Sequence, residues 1–238
     1  MKFCQQGILI LVLSLATILN CFAHVMDSES GLNFQYNAKL AETTAPIVDG
    51  RFDDPAWEGA VRGKIEQEIE KNDRWRASSD FTGEFAAVWR NGSLYVAIKI
   101  TDDSLETHQA KLSRQDRLVI YIDPDHSGHK SDLYRHILPI GEKTPFLKPP
   151  LRLVAWSNNG QTCELSFNLG HIPKKGERIG FGIFYYDVDG SRLHHQLAWG
   201  PAGYTEHEDR LPDLVFTAQL KPVANQKAVR WGEIKSLY

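Results

Sequence analysis

Cysteine is scarce in this chain. Three of its 238 residues are cysteines, and Cys4 and Cys21 both lie in the apolar N-terminal stretch. Cys163 is alone in the remainder, so that part cannot form an internal disulfide bond. Cys163 shares a spacing of two residues with Leu165 and Phe167, which places it on the apolar face of a predicted strand. This position favours a buried structural cysteine over a catalytic nucleophile.

An excess of positive charge is also lacking, and so is a second long apolar run. The formal net charge is −3, and the Lys and Arg residues are scattered. Nucleic acid binding needs a concentrated basic stripe, which this composition excludes. Mild acidity fits neutral ligands or cations better. We therefore expect no nucleic acid partner, no membrane span after the N-terminal stretch, and a monomer.

The N-terminal stretch has the features of an export signal. Lys2 supplies a positive charge, Gly7–Leu19 is apolar, and Ala23 ends a segment with small residues where a signal peptidase cuts. We predict a signal peptide over residues 1–23 and a secreted or periplasmic protein. A lipoprotein modified at Cys21 is the alternative, although Asn20 is larger than the residue that a lipobox prefers before its cysteine.

The rest of the chain predicts one all-β domain. Roughly 215 residues remain after the signal, which suits a single domain. Asn91-Gly92 and Asn159-Gly160 each separate two segments of alternating hydrophobicity, the strongest short-range signal for a hairpin. Many short strands between turns indicate an antiparallel β-sandwich or jelly roll. We assign residues 24–44 to a polar N-terminal arm, 45–220 to the sandwich, and 221–238 to a C-terminal tail that covers a sheet edge.

An acidic turn opens the predicted sandwich. In the segment 49–57 the residues Asp49, Asp53 and Asp54 surround Gly50 and are followed by Trp57. We expect Gly50 to fix the turn and Trp57 to fold back as a plug over the core. The carboxylates either cap backbone amides of the turn or coordinate a hard cation.

Two further groups of acidic residues predict calcium. Asp123 and Asp125 precede Gly128, like the first half of a calcium loop, and Asp132 can close the site from the other side. A solvated turn without an ion is the alternative. The remaining acidic candidates are Asp102, Asp103 and Asp116. They could share a second cation if the strand ends that carry them converge.

Residues for catalysis are not identified in the sequence. Adjacent carboxylates at a strand end point in different directions, whereas glycoside hydrolysis needs two carboxyls that face each other across a cleft. His194 and His195 enter a strand, where alternation would place them on opposite faces. We therefore do not expect this pair to chelate a metal ion. The chain also lacks a Gly-x-Ser-x-Gly elbow, so we predict that it is not an enzyme.

Three aromatic residues stand where a sugar ring could stack on them. Trp75 lies in a polar loop, and Trp199 and Tyr204 border a loop rich in Gly and Pro. We take these three as candidate ligand contacts. Trp57, Trp89 and Trp156 have positions typical of packing.

The order of three segments resembles the family 9 carbohydrate-binding modules. These segments are 47–57, 94–103 and 116–123. The resemblance implies a DOMON-like β-sandwich with calcium in its acidic loops and a saccharide ligand, and it matches Arg135 to a basic residue that contacts sugar. Two positions depart from the family pattern: no aromatic residue lies near 112–114, and Val119 stands where an acidic residue is expected.

The leading hypothesis is thus a secreted, non-catalytic carbohydrate-binding module that takes poly- or oligosaccharides and is stabilised by calcium. An accessory domain of glycoside hydrolysis is one alternative. A DOMON-like haem-binding electron-transfer domain is another, and haem needs a pair of axial ligands. Met26 is the only methionine besides Met1, which argues against His/Met ligation.

Overall fold

The computed structural model describes residues 34–69, 81–129, 131–142, 147–190, 192–200 and 211–218. The predicted signal peptide and C-terminal tail lie outside the described residues. Within these ranges the chain forms twelve strands: β1 Gln35–Leu40, β2 Gly63–Ile65, β3 Gln67–Glu68, β4 Phe81–Arg90, β5 Ser93–Asp102, β6 Arg117–Asp123, β7 Tyr134–Pro139, β8 Leu151–Trp156, β9 Thr162–Asn168, β10 Arg178–Asp189, β11 Arg192–Trp199 and β12 Asp213–Phe216. Short 3-10 turns occur at Pro55–Trp57 and Leu112–Arg114.

The strands form two layers, which confirms the predicted all-β sandwich. One layer contains β2, β4, β5, β9 and β8, and the other contains β7, β6, β10, β11, β3 and β12. Strand β1 pairs in parallel with β12 and with β4, so the ladder continues from one layer to the other. These parallel pairs depart from a purely antiparallel sheet. The part of the chain that the structure describes contains no helix long and apolar enough to cross a membrane.

Strand β1 corrects one boundary of the sequence analysis. Residues 35–40, assigned there to a polar arm, form a strand whose Tyr36, Ala38 and Leu40 point into the core. The other side chains of this strand are polar and exposed. Because the segment is short and half polar, its alternation is a weak signal, and only the neighbours β12 and β4 complete its hydrogen bonds.

The core lies between the inner faces of the two layers, and aromatic rings fill its centre. The Phe85 ring lies 4.8 Å from Tyr36 and 5.1 Å from Trp199, measured between ring centroids. Trp199 also contacts Phe181 at 6.1 Å. Such edge and tilted contacts add to the stabilisation that comes from apolar burial. The core therefore depends on residues from four strands that are distant in sequence.

The predicted hairpins are confirmed. Strands β4 and β5 pair from Arg90 and Ser93 outward, with Asn91 and Gly92 between them. Both turn residues have positive φ, 49° and 75°, as a two-residue turn with the twist of the sheet requires. The second predicted hairpin joins β8 to β9.

The opening segment packs on the outer surface of β4 and β5. Trp57 is buried there with Ala86, Val88 and Ala97, so the prediction that it folds back as a plug is confirmed for the outer side of the sheet. Gly50 has a φ of 87°, and a Cβ at this position would lie 2.5 Å from the carbonyl carbon of Trp156. Only glycine fits this close approach.

A buried carboxylate on β9 holds this segment. The Glu164 side chain is 1% exposed and accepts hydrogen bonds from the Asp49 N–H at 3.0 Å, the Gly50 N–H at 2.9 Å and the Trp57 Nε1–H at 2.9 Å. Asp49 and Asp54 cap the Arg51 and Ile47 amides at 3.1 and 2.8 Å. The capping interpretation of this turn is thereby supported by its hydrogen bonds.

Substitution of Glu164 by Gln tests this anchor. An amide supplies one acceptor oxygen, and its NH2 group would face an N–H donor. We expect Glu164→Gln to lower the free energy of unfolding by about 1–3 kcal/mol, measured by denaturant unfolding. Glu66→Gln is the matched control, since Glu66 lies in an exposed ion pair with Lys64 and its loss should cost well under about 1 kcal/mol. Equal effects of both changes would contradict the anchor.

Candidate functional site

The outer surface of the layer that contains β6 and β10 carries a cluster of apolar side chains. Val119 and Tyr121 on β6 and Phe184 and Tyr186 on β10 form it, and we call these four residues the aromatic face. Alternation explains the arrangement, since the intervening residues of both strands point into the core. The Tyr121 and Phe184 rings meet edge to face at 5.4 Å.

Two arginines contact the tyrosines of this face. The guanidinium carbon of Arg117 lies 4.0 Å from the centre of the Tyr186 ring. The guanidinium carbon of Arg135, an exposed residue of β7, lies 5.8 Å from the Tyr121 ring. Cation–π contacts hold a guanidinium over an aromatic ring. The four side chains of the aromatic face are themselves buried, with Tyr121 4% and Tyr186 8% exposed. The group that this place offers to solvent is the guanidinium of Arg135.

The other predicted ligand contacts have different outcomes. Trp75 and Tyr204 lie outside the described residues. Trp199 is 7% exposed and packs among the core rings, so the interpretation of this residue as a ligand-facing aromatic is wrong. Its place at the end of β11 puts it on the inward side of the strand, a choice that alternation alone leaves open.

The loop after β6 brings three carboxylates together. Asp123, Asp125 and Asp132 each offer an oxygen within 4.8 Å of the others. Each also uses one oxygen to hold the loop, because Asp123 accepts from the Gly128 N–H at 2.8 Å, Asp125 from the Ser127 N–H at 3.1 Å and Asp132 from the Ser127 hydroxyl at 3.1 Å. The convergence of Asp123 with Asp125 that the spacing predicts is present, together with Asp132.

One oxygen of Asp123 and one of Asp132 have no hydrogen-bond partner although both atoms are buried. Asp123 as a whole is 1% exposed, and this burial raises its pKa above the ordinary value. Buried carboxylate oxygens without partners are costly. The loop is therefore shaped like the ligand set of a hard cation, which supplies positive charge to such oxygens.

A second acidic cluster lies at the opposite end of β6. Asp102, Asp116 and Asp187 offer oxygens within 4.8 Å of one another, so the strand ends that carry Asp102 and Asp116 converge. In this cluster, the carboxylate oxygens of Asp102 and Asp116 already accept hydrogen bonds. Asp116 accepts the Glu106 and Val188 N–H groups, both at 2.7 Å, and Asp102 accepts the Ser104 N–H and the Tyr185 hydroxyl. These two carboxylates act as acceptors that close loops of the fold.

Asp103 belongs to neither cluster. Its side chain is exposed at the end of β5, because adjacent residues of a strand point in opposite directions. Among the described residues, Asp103 is therefore in none of the groups whose oxygens lie close enough to share a metal ion.

Part of the domain matches a known protein family. Residues 48–138, from the opening segment to β7, match a family model described as carbohydrate family 9 binding domain-like. The match covers less than half of the chain, and over these residues the chain is similar to that family. The resemblance seen in the sequence is thereby confirmed. No curated protein matches the chain in sequence.

Solved structures share the fold of this domain. A family 9 carbohydrate-binding module from Caldicellulosiruptor kristjanssonii in complex with cellotriose is 15% identical, with a TM-score of 0.64, and the match covers 80% of this chain and 100% of that one. The module from the same organism in complex with glucose is 14% identical, with a TM-score of 0.62 and the same coverage. At this identity the match establishes the fold.

Several residues of the candidate sites were not identified from the sequence. Arg117, Tyr186 and Asp187 lie in segments predicted as strands or strand ends, but nothing local distinguishes them. The alternation in β10 could have placed Phe184 and Tyr186 on one face. Their pairing with the arginines and with β6 depends on tertiary structure.

The ionisation of Asp116 is a measurable property of the second acidic cluster. Burial, and next the charges of Asp102 and Asp189, raise its pKa from 3.8 to about 7. The folded state then keeps a proton that the unfolded state has released, so the stability from this carboxyl is full below about pH 4 and is lost as the pH rises through about 7. We expect the carboxyl carbon resonance of Asp116 to titrate near pH 7 in the folded protein. A midpoint below pH 5 would contradict this.

Proposed function

We propose that this protein is an exported, non-catalytic module that binds neutral oligosaccharides, with the exposed Arg135 beside the aromatic face as part of its binding surface. The observation that carries the proposal is the exposed guanidinium of Arg135, which lies beside the Tyr121 ring on a rigid sheet. The family match supports a saccharide as the ligand class.

The chemistry of a sugar fits an exposed guanidinium. A pyranose carries a rim of hydroxyl groups that accept hydrogen bonds from such a donor. Arg135 is exposed beside Tyr121 and offers such donors. Cello-oligosaccharides are the first ligands to test, because the solved family 9 modules with this fold bind cellotriose and glucose.

Two predicted aromatic contacts remain part of the proposal. Trp75 and Tyr204 lie outside the described residues, and we propose them as stacking groups for a sugar ring, in place of the buried Trp199.

The proposal that the module is non-catalytic has support from the acidic residues. Asp102 and Asp116 accept hydrogen bonds from backbone amides, and this arrangement suits closing a loop better than proton transfer to a substrate. The N-terminal signal features support export.

Loss of the exposed guanidinium tests the binding surface. Hydrogen bonds from a charged donor are worth about 1.5–3 kcal/mol, so Arg135→Ala should weaken cello-oligosaccharide binding at least about 10-fold, measured by isothermal titration calorimetry. Arg152→Ala is the matched control, because Arg152 is an exposed arginine on β8 in the other layer.

Each outcome of this titration has a defined meaning. Weaker binding by Arg135→Ala alone supports the aromatic face. Equal affinity of both variants and the unmodified protein would contradict the location of the site. Absence of heat for cello-, xylo- and manno-oligosaccharides with the unmodified protein would contradict saccharide binding itself.

We further propose that the loop of Asp123, Asp125 and Asp132 holds calcium. The unpartnered buried oxygens of Asp123 and Asp132 fit a hard cation, and Ca²⁺ prefers carboxylate ligands. The ion would join the end of β6 to the start of β7 and so fix one border of the aromatic face. In the second acidic cluster, Asp102 and Asp116 already accept hydrogen bonds with their carboxylate oxygens, so this cluster is less suited to bind calcium.

Removal of calcium tests this loop. At a calcium concentration of about 100 times Kd, binding adds about 2.7 kcal/mol to the free energy of unfolding, which corresponds to about 5–10 °C in Tm for a domain of this size. We expect Ca²⁺ to raise Tm by this amount over protein treated with a chelator, and Asp125→Asn to abolish the rise. The control Asp103→Asn should retain it. A Tm independent of Ca²⁺ would contradict the proposal.

A further inference from the structure

Strand β11 contains an irregularity that changes the direction of one histidine. Asp187 of β10 pairs with His195, while the next pair joins Val188 to Leu193. His194 is therefore an extra residue in β11, opposite no residue of its own. A bulge of this kind re-aims a side chain, so the expectation that His194 and His195 point to opposite faces is wrong here.

The bulge brings both imidazoles to the same carboxylate. Asp187, His194 and His195 each offer a ligand atom, and these atoms lie within 4.8 Å of one another. The two rings are 5.0 Å apart at an angle of 80°. Asp187 is 2% and His195 3% exposed, whereas the His194 side chain is 27% exposed. The cluster is thus sheltered but has one side near solvent.

Further carboxylates surround the histidines. The Nδ1 atom of His194 lies 2.9 Å from Asp189 Oδ2, and the Nδ1 atom of His195 lies 3.7 Å from Glu68 Oε1. The same Nδ1 atom of His194 also lies 4.0 Å from Asp187 Oδ2. A concentration of carboxylates in a sheltered place also favours a cation.

We propose that Asp187, His194 and His195 form a binding site for a divalent transition-metal ion of the Zn²⁺ type. Two imidazoles and one carboxylate are a ligand set for zinc, whereas calcium takes oxygen ligands alone. Ligands of a tetrahedral zinc ion are about 3.3 Å apart, so small side-chain rotations bring these three into range. Asp187 also belongs to the second acidic cluster, and an ion here would tie β10 and β11 to that end of the sandwich.

Metal titration of the purified protein tests this site without reference to saccharide binding. After chelator treatment, Co²⁺ should produce visible d–d absorption that is typical of low-coordinate nitrogen and oxygen ligation, and Zn²⁺ should abolish that absorption by displacement. Excess Ca²⁺ should leave the absorption unchanged. Absence of Co²⁺ absorption, or its loss on addition of Ca²⁺, would overturn the proposal.

Variants locate the ion. His194 is the mildest ligand to change because its side chain is partly exposed, and His194→Ala should weaken Zn²⁺ binding at least about 10-fold. His171→Ala is the matched control, since His171 also pairs with a carboxylate, Glu177, but stands apart from the cluster. Unchanged affinity in His194→Ala would overturn the assignment.

Discussion

The positions of the core, the aromatic face and the acidic clusters all depend on how β10 pairs with its neighbouring strands along its whole length. One edge of β10 pairs with β6, and the other pairs first with β12 and then with β11. Because side chains alternate along a strand, this register fixes three regions at once. Phe181 and Tyr185 point into the core, Phe184 and Tyr186 form the aromatic face, and Asp187 reaches the acidic end.

Buried carboxylates have two different roles in this molecule. Glu164 and Asp116 accept N–H groups from segments that are distant in sequence, and they close the structure by replacing the hydrogen bonds that those amides would make with water. Asp123 and Asp132 keep buried oxygens without such partners. Carboxylates of the first kind stabilise the fold directly, whereas a buried oxygen of the second kind costs free energy while it lacks a partner.

The sequence predicted the local features of the fold and of the candidate site. The turn at Asn91-Gly92 and the cluster of Asp123 with Asp125 depend on residues that are close along the chain. Trp199 and the bulge at His194 were misjudged. The partner strand β10 decides which side of β11 faces the core and where the alternation of β11 is interrupted. The sequence of β11 alone does not contain this information.

By itself the sequence determined the strand-forming alternation, the turns and the acidic loop after β6, since each of these arises from short-range sterics and hydrogen bonding. Tertiary structure decided which distant groups meet. Asp187 joins Asp102 and Asp116 at one end, and Arg135 reaches Tyr121 on the outer face. The physical reason is that strand pairing and register are set by the burial of the whole core, to which all strands contribute together.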